Sequence, residues 1–149
     1  MREFDLFING EWVRPKEENW IENKNPATGE DFCRVCAAGK QEVEAALAGA
    51  YAARKSWGKT LAKERERILL KAAGYLEANK EKYLPVLIDE SGSSITKMSA
   101  EIDSCVDILR TAAGECCRVA GGVIQGEYPN HLSYYTRNPL GVVVGIAPF

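Results

Sequence analysis

The amino-acid sequence predicts an α/β fold: an N-terminal β-hairpin, a segment of four helices, a strand ribbon, and a closing strand suited to a parallel sheet. Three observations carry this reading. Asn9-Gly10 interrupts alternating apolar residues at Phe4, Leu6 and Ile8, and that dipeptide accepts the positive φ angles of a two-residue hairpin turn. From residue 40 to residue 120 the apolar residues recur at the spacing of helices with one buried face. Residues 142–146, VVVGI, hold no polar side chain, so this strand needs cover on both faces, as in a parallel sheet flanked by helices.

The hairpin returns through Trp12 and Val13. A second turn, NPATGE, leads into the short strand DFCRVCA. The first helix is expected between Lys40 and Trp57, with Val43, Ala46, Leu47, Ala50, Tyr51 and Trp57 facing inward and Gly58 ending it. Leu61, Ile68, Leu69, Ala72, Ala73 and Leu76 mark the second, which runs to Asn79 beneath an outer face of Lys and Glu. Tyr83, Leu84, Leu87 and Ile88 mark the third, which stops at ESGSS. Pro85 has no amide hydrogen to donate, so it must lie in the first turns of that helix or kink it. The fourth helix is the longest. Its apolar stripe runs from Ile95 through Met98, Ile102, Cys105, Val106, Leu109, Ala113, Cys116 and Cys117 to Ala120, with Gly121-Gly122 as the stop. GVIQG and HLSYYTRN then flank the turn EYPN as two strands of a ribbon, whose unpaired edges call for a partner or a cover.

With 149 residues, 46% hydrophobic and 27% charged, the chain has the length and composition of one globular domain. A net charge of -2 provides no basic field, which argues against nucleic acid and anionic membrane as partners. The longest apolar run, residues 141–149, is far shorter than a membrane span. The opening MREFDLFING alternates charged and apolar residues and has no signal-peptide core, so a cytoplasmic protein is the expectation. Five cysteines make an odd count and suit reduced thiols. Cys33-x-x-Cys36 falls in a strand, whereas redox pairs sit at the start of a helix. A zinc site there would need two further ligands, with only His131 and distant thiols on offer. Both cysteines are expected to be small buried hydrophobes, and no metal site is assigned. His131, in a turn, receives no role. Neither G-x-G-x-x-G nor G-x-x-x-x-G-K occurs. By residue type alone there is no nucleophile beside a base.

The order of segments says more. LFINGEWV, NPATGE, AARKSWGKTLAKERERILLKAAGYLEANKEKYLPVLIDESG and YYTRNPLGVVVGIAPF together resemble the N-terminal portion of the NAD(P)-dependent aldehyde dehydrogenase superfamily. The resemblance covers residues 4–149. It implies that residues 1–120 are the N-terminal part of the NAD(P)-binding domain. Residues 121–138 would be the strand arm of the oligomerisation region, and residues 139–149 the truncated first strand of the dinucleotide-binding sheet. In the family the turn after this strand lies against the cofactor, which makes Ile146, Ala147, Pro148 and Phe149 the candidate cofactor-binding residues. Ligands of open α/β sheets bind beyond the carboxyl ends of strands. Pro148 cannot donate to a ladder, so pairing should end there and leave nearby carbonyls free for ribose hydroxyls.

ESGSSITKMSAE has the form E-S-G-S-x-x-x-K-x-x-x-E, with Glu90, Ser91, Gly92, Ser93, Lys97 and Glu101. It is similar to the version in aromatic-aldehyde enzymes such as benzaldehyde and vanillin dehydrogenases. Many relatives place Lys directly after the Gly, where this chain has Ser93. The helix that follows lines the family's substrate tunnel near positions matching Ala100 and Ser104, which are four apart and share a face.

The resemblance implies a parent enzyme that oxidises aldehydes to carboxylic acids with NAD or NADP through a cysteine thiohemiacetal. It also implies a homo-oligomer built through the strand arm. The family's oxyanion-holding Asn comes directly after the position of Phe149, and its phosphate turn, general-base Glu and nucleophilic Cys come later still. No residue of this chain is therefore a catalytic candidate. The 149 residues are expected to be inactive alone and to bind no cofactor tightly. The alternative expectation is a stand-alone binding or oligomerisation module that keeps this part of the fold without catalysis.

Overall fold

The computed structural model describes residues 2–15 and 19–146. Its elements run β1 (Arg2–Phe4), β2 (Leu6–Ile8), β3 (Glu11–Val13), β4 (Trp20–Lys24), β5 (Asp31–Cys36), α1 (Lys40–Lys59), α2 (Ala62–Ala78), α3 (Lys80–Ser91), α4 (Ile95–Cys116), β6 (Gly122–Gln125) and β7 (Leu132–Tyr135). The expected hairpin forms between β2 and β3. Asn9 has φ 55° and Gly10 φ 88°, both in the left-handed region that such a tight turn requires. Phe7 stands opposite Trp12, with the ring centroids 5.1 Å apart.

Phe4 lies outside the hairpin. The chain breaks at Asp5, and β1 pairs in parallel with β5. The other edge of β5 takes β4 antiparallel, giving the order β1-β5-β4. The sequence does not announce β4, because WIENK mixes apolar and charged residues without a clean alternation. Trp20 at its start is flanked by two guanidinium groups, Arg34 at 4.4 Å and Arg14 at 5.1 Å from the ring centroid. Glu3 pairs with both arginines. The hydrogen bond from Arg34 is the main cause that holds the Glu3 carboxyl below its usual range. These contacts tie the hairpin strands to the three-stranded sheet.

The core lies between α2 and α4. Ala73 of α2 and Ala113 of α4 are essentially inaccessible, at 1% and 0% exposure, and small side chains there let neighbouring elements approach closely. Leu84 of α3 joins Met98 and Ile102 of α4, with Leu76, Leu87 and Ile88 packed around them. Ser94 caps α4, its hydroxyl accepting from the Lys97 amide. Pro85 sits inside α3 beyond its first turn, where its missing amide hydrogen removes one rung of the helix. The NPATGE turn docks on the end of α3. Asn25 Oδ1 accepts from the Ala27 amide at 2.9 Å, folding an Asx turn. The side-chain amides of Asn23 and Asn25 reach Glu90 at 3.4 Å and Asp89 at 3.3 Å. Gly92 closes α3 with φ 65°, and a Cβ there would stand 3.0 Å from Pro26 Cβ. Cys33 and Cys36 are buried and unbridged, as expected of packing residues. Burial first, and the charge of Glu90 second, push the Cys33 thiol up.

Four features differ from the sequence expectations. Gly58 does not end α1, which runs to Lys59 and stops at Thr60; Gly58 packs instead against a later segment of the chain. Gly121-Gly122 does not end α4, which stops at Cys116, leaving Ala120 outside it. The Arg118 amide folds back onto the Glu115 carbonyl at 2.9 Å. Gly122 then opens β6, and a Cβ on Gly121 just before it would collide with the Tyr135 carbonyl. The expected inward face of α1 is not buried: Val43, Leu47, Tyr51 and Trp57 are all exposed, and the main neighbour of the helix is β2. Residues 141–146, read as the first strand of a parallel sheet, form no ladder in this structure. A strand is held by its neighbours, and none of the described strands runs beside this one.

Gly92 tests the docking of the NPATGE turn, and Gly74 tests helix propensity inside α2. Gly92→Ala is expected to cost about 1–3 kcal/mol, because it forces a left-handed alanine against Pro26. Gly74→Ala, in the interior of α2 with open space around it, is expected to gain about 0.5–1 kcal/mol. Urea unfolding of the two variants checks both values, and an unchanged midpoint for Gly92→Ala would contradict the contact.

Candidate functional site

The stretch that leads into the candidate cofactor segment, residues 139–141, passes the end of α1. Gly39 caps this helix, its amide donating to Glu42 Oε2 at 2.9 Å, so an acidic side chain closes its positive end. At the other end Arg54, Lys55 and Gly58 border a shallow cleft of 280 Å³ shared with Pro139, Leu140 and Gly141. A Cβ on Gly58 would lie 3.4 Å from Pro139 Cγ, an ordinary van der Waals distance, so the pyrrolidine ring rests beside the end of α1. Gly141 has φ 107°, a backbone conformation that other residues rarely adopt. The side-chain position at Gly141 faces Arg54 Cδ at 3.8 Å.

Arg54 is itself held in place. Its Nη1 donates to the Tyr51 carbonyl at 2.7 Å, and the guanidinium lies 3.4 Å over the Tyr51 ring. The head of the side chain is thus anchored to its own helix, while its aliphatic stem is offered to the turn at Gly141. Beyond that turn the chain leaves α1. Val142 keeps 38% exposure, but Leu140 before it and Ile146 after it stand at 97% and 91%. Ile146 is the one candidate cofactor residue among the described residues. Ala147, Pro148 and Phe149 lie outside them.

The candidate tunnel residues are built by another helix. Ala100 and Ser104 are both exposed on α4, on the side opposite Met98, Ile102 and Val106, which are buried. Ile108, four residues further, prolongs the open face. The packed side of α4 meets α2 and α3, so Ala100 and Ser104 are presented outward on a rigid support. The structure therefore keeps the two candidate places apart by helix: α1 for the segment before Ile146, α4 for the tunnel pair. Sequence reasoning missed Arg54 and Gly58 as supports. The only signal was a glycine near the end of α1, and it read as a stop.

Other polar groups form surface contacts. Lys63 Nζ lies 2.7 Å from Glu66 Oε2, which also accepts from Cys117 Sγ at 3.6 Å, linking α2 to the end of α4. The Lys63 hydrogen bond lowers the Glu66 carboxyl and raises the Lys63 ammonium. Among the described residues no three His, Cys, Asp or Glu side chains converge as metal ligands. None of the described helices is long and apolar enough to cross a membrane.

Comparison with known proteins places this architecture. The chain is 35% identical over 147 residues to the EPTC-inducible aldehyde dehydrogenase of Rhodococcus erythropolis, covering 98% of this chain and 29% of that protein. It superposes on a salicylaldehyde dehydrogenase from Pseudomonas putida G7, solved with salicylaldehyde, with a TM-score of 0.88 and 27% identity; 95% of this chain and 29% of that one are covered. A NAD-dependent benzaldehyde dehydrogenase from Corynebacterium glutamicum gives a TM-score of 0.76 and 32% identity, over 83% of this chain and 27% of that one. The chain thus spans 27–29% of the length of these relatives and matches the N-terminal part of their fold. The model of the aldehyde dehydrogenase family matches residues 12–149, and the chain belongs to that family.

Proposed function

We propose that these residues are the N-terminal portion of an enzyme that oxidises aldehydes to carboxylic acids with NAD or NADP. The family match across residues 12–149 carries this reading. In that reaction a cysteine thiolate adds to the aldehyde carbonyl, hydride passes from the thiohemiacetal carbon to the nicotinamide, and water releases the acid. None of Cys33, Cys36, Cys105, Cys116 and Cys117 lies in the nucleophile's motif, and Cys33 and Cys36 are buried as packing groups. The nucleophile and the general base are thus assigned to other parts of the enzyme.

What this chain contributes is support and one wall of the cofactor site. Residues 1–120 belong to the N-terminal part of the NAD(P)-binding domain, and residues 139–149 to the first strand of its sheet, whose ladder partners come from the rest of that sheet. The turn at Ile146, Ala147, Pro148 and Phe149 lies against the adenosine half of the cofactor. The exposed apolar surface at Ile146 suits an aromatic base, and Pro148 leaves neighbouring carbonyls free for ribose hydroxyls. Residues 121–138 form an arm that joins subunits into a homo-oligomer. The β6–β7 ribbon supports this, because it leaves Val123, Ile124, Leu132 and Tyr134 exposed on a two-stranded sheet with free edges. The working compartment is the cytoplasm. The substrate is an aromatic aldehyde, bound along the α4 face of Ala100 and Ser104. The Ser93 version of the ESG motif and the likeness to the salicylaldehyde and benzaldehyde enzymes support that choice.

Residues 1–149 alone are expected to show no aldehyde-dependent reduction of NAD or NADP. Their affinity for NAD is expected to be no tighter than about millimolar, or about −4 kcal/mol. Turnover sensitive to thiol alkylation, in a preparation free of contaminating enzyme, would overturn this assignment, as would micromolar binding by calorimetry. For the complete enzyme, kcat/KM for benzaldehyde is expected to exceed that for acetaldehyde by roughly tenfold or more, since each apolar group seated in a fitted pocket is worth about 1–3 kcal/mol. Equal values for the two aldehydes would remove the aromatic assignment and leave the aldehyde oxidation in place.

A further inference from the structure

We propose that Asn9-Gly10, at the tip of the β2–β3 hairpin, is a site of spontaneous modification. There the chain converts its own asparagine to isoaspartate and aspartate, and a notch at Gly49 of α1 restrains the reaction in the folded protein. The chemistry is independent of aldehyde oxidation and consumes only water. Two observations carry it. Both residues are open to solvent, and among the described residues the Asn9 carboxamide has no hydrogen-bond partner. With φ 55° and 88° the turn requires residue types that tolerate the left-handed region. The fold therefore sets a carboxamide beside a glycine amide nitrogen that no side chain shields. The second observation is where that carboxamide sits. A Cβ on Gly49 would collide with Asn9 Oδ1 and stand 2.6 Å from its Cγ and 2.9 Å from its Nδ2. The Asn9 side chain thus occupies the room that any residue other than glycine would fill on α1.

The reaction begins when the Gly10 amide nitrogen attacks Asn9 Cγ. The N–Cγ bond forms, the Cγ–Nδ2 bond breaks, and ammonia leaves with the proton that the Gly10 amide gave up. Water then opens the resulting succinimide at either carbonyl. Cleavage of the new N–Cγ bond yields aspartate. Cleavage of the original bond from the Asn9 carbonyl carbon to nitrogen yields isoaspartate, with the chain now running through Cγ. The attack requires the carboxamide to turn its face to the Gly10 nitrogen. The notch closes around Oδ1, Cγ and Nδ2 and leaves no room for that turn, so the hairpin tip must first lift off α1. The product then keeps it off. Isoaspartate lengthens the backbone between Ile8 and Glu11, which stand opposite each other across the hairpin, and it replaces a neutral amide with a carboxylate. Since α1 has no buried residue and β2 is its main neighbour, losing this contact loosens the helix.

The test incubates the complete enzyme at mildly alkaline pH and follows residue 9 by peptide mass spectrometry, with fragmentation that separates isoaspartate from aspartate. In the folded parent the reaction is expected to run roughly tenfold slower than in the same enzyme held in urea, a ratio that corresponds to about 1.4 kcal/mol of local opening. Gly49→Ala pushes the carboxamide out of the notch while alanine favours the helix. In that variant, with its fold checked by circular dichroism, the rate is expected to come within about threefold of the denatured rate. Isoaspartate is expected beside aspartate in every sample that reacts. An unmodified residue 9 in the denatured enzyme would overturn the site, and aspartate without isoaspartate would overturn the succinimide route. A folded Gly49→Ala enzyme that reacts no faster than the parent would overturn the notch. If Gly49→Ala fails to fold, the parent decides: equal rates in its folded and denatured states would overturn the restraint, and a slower folded rate supports it.

Discussion

The close packing of α2 with α4 is the contact from which the rest of the described chain hangs. Ala73 and Ala113 bring small side chains to the middle of the core. That packing gives α3 a groove to close, through Leu84 on Met98 and Ile102. The end of α3 in turn receives the NPATGE turn at Gly92, Asp89 and Glu90. The sheet β1-β5-β4 follows that turn, and the hairpin follows the sheet through Glu3, Arg14, Arg34 and Trp20. Burying one large apolar side chain is worth about 1.5–3 kcal/mol, whereas an exposed ion pair is worth about 0–1 kcal/mol. The hierarchy is therefore set by the helices, with the arginine net as trim.

The apolar surface left over has a pattern. Exposed apolar residues cluster on α1, on residues 140–146 and on the β6–β7 ribbon, with others on the hairpin and on the outer faces of α2 and α4, while the surfaces where α2, α3 and α4 meet are buried. Relatives are matched over 27–29% of their length, and these three regions are the ones that suit contact with further parts of the family fold. Such a division explains why α1 has the amphipathic spacing of a buried helix and no buried residue. Its sequence is written for neighbours beyond β2.

Local signals were legible where local chemistry decides the structure. Asn9-Gly10 dictates a hairpin, Asn25 folds its own turn and the ESGSS stretch ends a helix at Gly92, each through a few residues. Signals failed where a distant contact decides. Gly58 reads as a helix stop, yet α1 continues past it to Lys59 with Pro139 resting beside it. Gly121-Gly122 reads as another, yet the ribbon claims both through Tyr135. β4 has no periodicity of its own and is a strand because β5 offers an edge. Of the site, Ala100 and Ser104 could be placed on one shared helix face from their spacing alone. Arg54 could not be singled out, since its partner at residue 141 is remote in sequence and glycine has no side chain to advertise the contact.

The central physical point is that residues 141–146 carry strand chemistry without strand partners among the described residues, while α2 and α4 hold a true core. Hydrogen exchange on a dilute, monomeric preparation of residues 1–149 measures both at once. The expected result is near-unprotected exchange for the amides of Val142, Val143, Val144 and Gly145, with the slowest exchange in the α2–α4 pair at Ala73, Ile102, Val106 and Ala113. Strong protection of residues 142–145 in that monomer would contradict it, because it would require a ladder that the described strands do not provide.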